Sequence, residues 1–438
     1  MPVKKVVFVS TVFPFPADYG KKVVVSGILK YLVERYGAEQ VTYILLGSLD
    51  ERSPKESMPC EYIALKRPSA LYQLWNVSSF VLLKRAKSIQ EVMLYSAELG
   101  RELRAIVARI SPNLIICDTF RTGQFFETTE RVEGNYILYM DDLFSVRYQK
   151  MLEVLTRFPR ANLSPLGTFA RFVPSALRPL VQLRFVQKQL LRLEQSLVEK
   201  RERECVKHFD SNLLINAEEA NLLQRETGHS SIQTVKPLLT DIGRVVDRRY
   251  NGDPVFVFLG ALSVPHNQFS IIYFIETQMD NIIDKIPGVR LRVIGRGESR
   301  ELLRLAQKYK GIVSIEGFLD DLDTVFSESC AMIIPLLYGS GVKIKTLEAL
   351  ARALPVISTD FGVEGIPVTN SVNCIVENDI NQYPQLMRAV VDIDYNLDIS
   401  RKAHAFYLEN YSEERVFQEY ELLFGEQPKS GMKGPTSN

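Results

Sequence analysis

The chain has 438 residues, enough for two hydrophobic cores, and its 46% hydrophobic and 24% charged residues are the balance of a soluble globular protein. A net charge of +1 argues against a dedicated nucleic-acid binder. The five scattered cysteines and four histidines, with no pair at metal-ligand spacing, predict buried thiols in a reducing compartment and no metal site.

From the N-terminus, Met1 to Lys5 runs straight into the apolar stretch Val6–Ser10, too short for a secretion signal and closed by Pro14 and Pro16. No apolar run approaches the roughly 18–20 residues needed to cross a bilayer. Strand-length apolar runs then alternate with longer helical patterns, which predicts parallel sheets covered by helices. Val6–Ser10, Val41–Leu46, Leu114–Cys117, Tyr136–Tyr139 and Leu213–Ile215 form a first series of strands. Val255–Leu259, Leu291–Ile294, Val313–Glu316, Ala331–Pro335, Pro355–Ser358 and Cys374–Glu377 form a second. The fold class is therefore α/β, with two Rossmann-like doubly wound domains facing across a cleft. The polar stretch after Gln233 puts the boundary near residue 240, giving domains 1–240 and 241–410. A helical stretch, 411–426, and a Pro/Lys/Ser/Gly tail, 427–438, predicted to be disordered, complete the chain.

In such folds ligands bind beyond the carboxyl ends of strands, so the loops there carry the candidates. Gly20 and Lys21 open a helix after the first strand; the alternative is a loop ending in a solvated lysine pair. Asp141 and Asp142 follow an apolar strand directly, where one or both cap the next helix or serve a site. Asn267, after the Gly260 loop, reads as a helix cap. Between 150 and 207, basic residues interleave with aromatic and aliphatic ones. Leu183, Val186, Leu190, Leu193 and Leu197 form one stripe at helical spacing, and Arg184, Lys188 and Arg192 another. The Leu183–Leu197 stretch reads as a core helix with a solvated outer face. The Pro-broken Phe158–Leu180 stretch reads as an acceptor or membrane loop, with peripheral membrane contact through 157–192.

The segment from Pro335 to Ser358 carries most of the functional signal. It reads as strand end, glycine loop, helix, next strand. Gly339, Ser340 and Gly341 leave the backbone free to approach a ligand. The helix that starts near Lys343 points its unpaired N–H groups and its positive dipole end into that loop, an arrangement that binds phosphate. Lys343 and Lys345 add positive charge, and Glu348 supplies an acceptor for ribose hydroxyls.

This segment resembles the donor-binding motif of glycosyltransferase family 4 (group 1), the retaining enzymes of the GT-B fold. Glu348, in Leu347-Glu348-Ala349-Leu350-Ala351, matches the second glutamate of the family pair, whereas Ser340 stands where the first would be. The stretch is similar to a branch with Gly-x-Gly-x-Lys/Arg-x-Lys before the glutamate, and the match continues through Pro355–Thr359 and Gly362–Gly365. The resemblance implies a nucleotide-sugar donor held by Ser340, Gly341, Val342, Lys343, Ile344, Lys345 and Glu348. It adds Gly20 and Lys21 near the phosphates, Gly260 facing the pyrophosphate, and Arg296 and Phe318 at the base. It also implies that Lys345, with Asp141 or Asp142 in place of the usual histidine, carries the catalysis. The 411–426 helix crosses back to the first domain in this family. The implied reaction is transfer of a hexose, with retention, to a hydroxyl of a bacterial surface polysaccharide or lipid-linked glycan. The enzyme would be cytoplasmic, at the inner face of the plasma membrane, and need neither metal nor cofactor. The alternatives are a catalytically silent nucleotide-sugar-binding scaffold and a GT-B epimerase.

Overall fold

The computed structural model describes residues 4–17, 19–47, 55–127, 131–158, 183–240, 248–319 and 321–425. The Phe158–Leu180 loop, apart from Phe158 itself, and the 427–438 tail lie outside the described residues.

Thirteen strands form two sheets among the described residues. The first has the order β3-β2-β1-β4-β5-β6-β7. Its strands are β1 (Val6–Ser10), β2 (Val41–Leu46), β3 (Glu61–Leu65), β4 (Leu114–Asp118), β5 (Asn135–Asp141), β6 (Ser211–Leu214) and β7 (Ile232–Thr234). The second has the order β10-β9-β8-β11-β12-β13. It is built from β8 (Val255–Leu259), β9 (Arg290–Ile294), β10 (Val313–Ile315), β11 (Ala331–Ile334), β12 (Val356–Ser358) and β13 (Ile375–Val376). Every pairing is parallel. Helices cover both faces, so the central strands are buried throughout: all five residues of β1 and all six of β2 are buried.

Both sheets reverse strand order once, at β1/β4 and at β8/β11. At such a reversal the two flanking loops leave in opposite directions and open a crevice. The chain segments that follow β1 and β11 approach each other there: a Cβ placed on Gly20 would lie 3.3 Å from Ile344.

β3 and β7 were not among the expected strands. They are the two edges of the first sheet, and neither has the solid apolar run of the others: β3 is largely exposed or half-buried, and β7 is three residues long. The helix Arg184–Cys205 forms, but its inward line differs from the expected leucine stripe. Gln187, Leu191, Glu194, Val198, Arg201 and Cys205 face in; of the expected stripe Leu197 is buried and Leu193 packs beside it, while Leu183 is exposed. The polar members turn inward because they have partners there: Glu194 accepts from the backbone N–H groups of Ile89 and Gln90, and Arg201 pairs with Glu91 and Glu127.

The helix Glu413–Phe424 lies against the helix Gly20–Tyr36 of the first sheet. Tyr31 sits among Phe417, Tyr420 and Phe424, with ring centroids 5.2, 5.4 and 6.1 Å away. Arg35 pairs with Glu421 at 2.8 Å, and Lys30 pairs with Glu413.

Candidate functional site

β11 ends at Ile334, and the chain turns through two glycines at positive φ, Gly339 (153°) and Gly341 (73°), before the helix Ile344–Ala351. Gly341 is needed there on two counts. Its φ favours glycine, and a Cβ would stand 3.2 Å from Asp142 Oδ2 of the first sheet. Lys343 occupies the N-cap position without a side-chain cap bond. Its Nζ folds back to donate to the carbonyls of Ser340 (2.8 Å) and Gly341 (2.6 Å). Lys343 therefore braces the loop from beneath.

Lys345 points the other way, into the loop after β8. Its Nζ donates to Asn267 Oδ1 at 2.7 Å and lies 4.8 Å from the centre of the Phe258 ring. A Cβ on Gly260 would come within 2.8 Å of that ammonium, so glycine at 260 makes room for the lysine. Asn267 is not the helix cap expected of it. The helix Pro265–Lys285 is capped at Val264, and Asn267 instead links Ala261 O (3.0 Å) to Lys345.

The two lysines are not fixed cations. Burial, reinforced by Lys343, lowers Lys345 to about 7 against the pull of Glu348. Burial lowers Lys343 to about 8, opposed by Glu364 and Asp142. Glu348 is raised by its own burial, against Arg352 and Lys345. An arriving anion would offset the burial and restore both positive charges.

Across the crevice, β5 ends in a register shift, and Asp141 adopts φ 73°, rare for a residue with a side chain. Its carboxylate accepts from Tyr139 (2.8 Å) and lies 3.4 Å from Lys21. Lys21 is also 2.5 Å from Asp118, the last residue of β4, which accepts from Ser10 at 2.6 Å. Asp118 was not a candidate from the sequence, although its place directly after the apolar run Leu114–Cys117 was a usable signal. Lys21 is thus gripped between two carboxylates at the reversal point.

Asp142 has a different surrounding. Arg147 contacts both its oxygens, with Nη2 at 2.5 Å from Oδ1, and Ser340 of the second sheet lies 3.0 Å from Arg147 Nε and 3.2 Å from Asp142. Asp142 does not cap the helix Phe144–Arg157 as its alternative reading had it. Leu143 holds the cap position, and two distant carboxylates serve the free N–H groups: Glu219 accepts from Leu143 (2.6 Å) and Glu202 from Phe144 (2.7 Å). The neighbouring acids are driven apart. Burial raises Asp141, although Lys21 opposes it. Burial would also raise Asp142, but Arg147 and Ser340 hold its carboxyl below the usual range.

The other sequence candidates surround this centre. Val342 packs beneath Gly365, whose Cβ would meet it at 2.7 Å, and Glu364 next door pairs with Lys150. Arg296 lies 4.6 Å from the Phe318 ring centre, and Phe318 is 48% exposed rather than packed, so the pair forms an open flat platform. His266 was overlooked, though it sits in the loop that supplied Gly260 and Asn267. Its ring lies 6.1 Å from that of Tyr338, and burial, Lys343 and Lys345 keep it neutral. A concavity of about 400 Å³ lined by Arg249, Arg290 and Arg292 lies instead at the amino ends of β8, β9 and β10, and there Arg292 is already paired with Glu316.

Residues 253–392 match the family model described as Glycosyl transferases group 1. A Klebsiella pneumoniae protein described as an uncharacterized 44.6 kDa protein in the cps region is 30% identical over 173 residues, which span 37% of this chain and 43% of that protein. The fold is similar to that of sucrose-phosphate synthase from Thermosynechococcus elongatus, with a TM-score of 0.65 and 14% identity over 96% of this chain and 98% of that one. It is also similar to Anabaena Alr3699/HepE in complex with UDP and glucose, with a TM-score of 0.61 and 12% identity over 97% of this chain and 100% of the other. The likeness to the group 1 glycosyltransferases is thus carried by residues 253–392, within a chain whose two facing parallel sheets make the GT-B fold.

Proposed function

We propose that the chain transfers a hexose from a nucleotide diphosphate sugar to a hydroxyl of a bacterial surface polysaccharide or lipid-linked glycan, with retention. The observation that carries this reading is the convergence of Lys345, the Gly260 loop and the N-terminus of the Ile344 helix beside the β8/β11 reversal. Charge grows on a departing diphosphate as the glycosidic bond breaks, and fixed donors aimed at that charge stabilise the transition state. The helix N-terminus and a recharged Lys345 are such donors. Glu348 receives the ribose, the Arg296–Phe318 platform receives the base, and Ser340 stands near the sugar. A neighbouring fold that holds UDP and glucose supports the donor class, and a partial relative from a cps region supports the glycan setting.

On the acceptor side, Asp142 is committed to Arg147 and Ser340 and positions them. Asp141 is the acid left to meet the acceptor, because it keeps some exposure and its proton is held more tightly. The reaction would take place in the cytoplasm at the inner membrane face, where lipid-linked acceptors are presented.

Thermal-shift screening of nucleoside diphosphates, followed by assay of donor hydrolysis, tests the reading. At least one nucleoside diphosphate raises the Tm of the wild type and not of Lys345→Met, and the matching donor is hydrolysed. The proposal fails if no nucleoside diphosphate shifts the Tm. The alternative of a silent nucleotide-sugar-binding scaffold draws on Ser340, whose hydroxyl is engaged with Arg147 and Asp142 where a carboxylate would face the sugar. Binding without hydrolysis or transfer would select it.

A further inference from the structure

After β3 the chain forms the helix Ala70–Asn76 and a wide helical turn, Val77–Leu83. This element turns its polarity inside out. Gln73 and Asn76 are the buried residues, donating to Pro68 O (3.1 Å) and to Val92 O and Tyr95 O (3.1 and 2.8 Å). Its apolar anchorage is a small cluster in which Val81 packs beside Val92 and Leu197, with Val77 and Phe80 half-buried against it. The outer side carries Leu71, Leu74, Trp75, Leu82 and Leu83, between 46% and 82% exposed. A surface helix of a soluble domain shows the reverse, and clustered exposed apolar side chains of this size mark a contact surface.

Charge selects the partner. Residues 62–90 contain Lys66, Arg67, Lys84, Arg85 and Lys87 and not one acid. Lys84 and Arg85, directly beyond Leu83, are exposed, and so is Lys66 on the other flank. Apolar tips with a cationic border complement the acyl edge and phosphate plane of an anionic bilayer. The base of the element is tied to the crevice: Arg67 donates to Leu46 O (3.0 Å) at the end of β2 and to Thr11 O (3.3 Å) just past β1. Among the described residues no helix is long and apolar enough to cross a membrane, so the contact is with the surface.

We propose that residues 70–85 are a docking surface for anionic lipid, which seats the mouth of the crevice on a membrane. The inference goes beyond the catalytic proposal and does not depend on it. It also differs from the membrane contact expected through 157–192, because it rests on other side chains.

The chain contains a single tryptophan, Trp75, which serves as a local reporter in the full-length protein. Vesicles of phosphatidylglycerol mixed with phosphatidylcholine should shift its emission to the blue, and brominated acyl chains should quench it; pure phosphatidylcholine should do neither. The double variant Lys84→Gln/Arg85→Gln should bind the anionic vesicles on the order of 20-fold more weakly, and Leu82→Ser/Leu83→Ser should lose the blue shift, both with unchanged melting and unchanged donor hydrolysis. Trp75 emission that stays unshifted and unquenched on anionic vesicles overturns the proposal, as does undiminished binding by the Lys84/Arg85 variant. Oligomers that bury Trp75 without lipid overturn it in favour of a second copy.

Discussion

Arg147 grips Asp142 through both carboxylate oxygens while its Nε reaches Ser340 of the opposite sheet, 3.0 Å away. One guanidinium thus ties the end of the first sheet to the glycine loop of the second. Arg147→Met leaves Asp142, which is 1% exposed, without its cation. Because the arginine itself is 37% exposed, screening limits the cost to about 1–2 kcal/mol. Transfer should fall at least tenfold, mainly in kcat, since the loop loses its register. A steady-state assay with wild-type kcat would remove the positioning role.

Gly341→Ala tests the same junction from the other side. The positive φ costs about 1 kcal/mol, and the new methyl presses on Asp142 Oδ2. Chemical denaturation should show a loss of about 1–2 kcal/mol, with a larger fractional loss of activity than of stability. Full activity would mean that the contact is incidental.

Lys345 makes nucleotide binding pH-dependent. Its native pKa of about 7 lies below that of the unfolded chain, so the unfolded state binds more protons from about pH 7 upward. The unliganded protein therefore gains stability from this group as pH rises through 7. A bound diphosphate favours the charged form, so binding at pH 8 takes up protons, and affinity falls as pH rises further. Lys343, at about 8, adds a smaller uptake. Titration calorimetry in two buffers of different ionisation enthalpy measures the uptake, which should drop in Lys345→Met. An equal uptake in that variant contradicts the assignment.

Glu202 holds the start of the Phe144 helix, accepting from Phe144 N (2.7 Å) and Ser145 Oγ (2.5 Å). Glu202→Leu leaves these donors unmet and should cost about 2–4 kcal/mol, Glu202→Gln about 1. Burial raises the carboxyl from 4.5 to about 8, against the pull of its hydrogen bonds. Its contribution is thus complete below pH 4.5 and lost as pH rises through 8. The glutamine variant should flatten that part of the stability profile; an unchanged slope would assign it to other groups such as Glu219.

These contacts also mark where sequence reading stops. The central strands and the glycine loop were legible because apolar runs and glycine spacing are local signals. β3 and β7 were not, since an edge strand needs an apolar lining on one side only. The role of Asp142 was misread as a possible cap because Glu202 and Glu219, which serve that helix end, lie 58 and 76 residues away from the groups they bind. The opposed directions of Lys343 and Lys345 were hidden as well. Their spacing is a helix property, but Lys343 folds back onto two carbonyls of its own loop while the partner of Lys345, Asn267, lies 78 residues away.

The packing of Tyr31 among Phe417, Tyr420 and Phe424 has a consequence for biogenesis. The first sheet is translated first, yet one flank of its opening helix stays uncovered until residue 424 has left the ribosome. Chains stalled or clipped before Glu413 would expose that aromatic flank to chaperones and proteases, so quality control can distinguish finished molecules from unfinished ones at this seam.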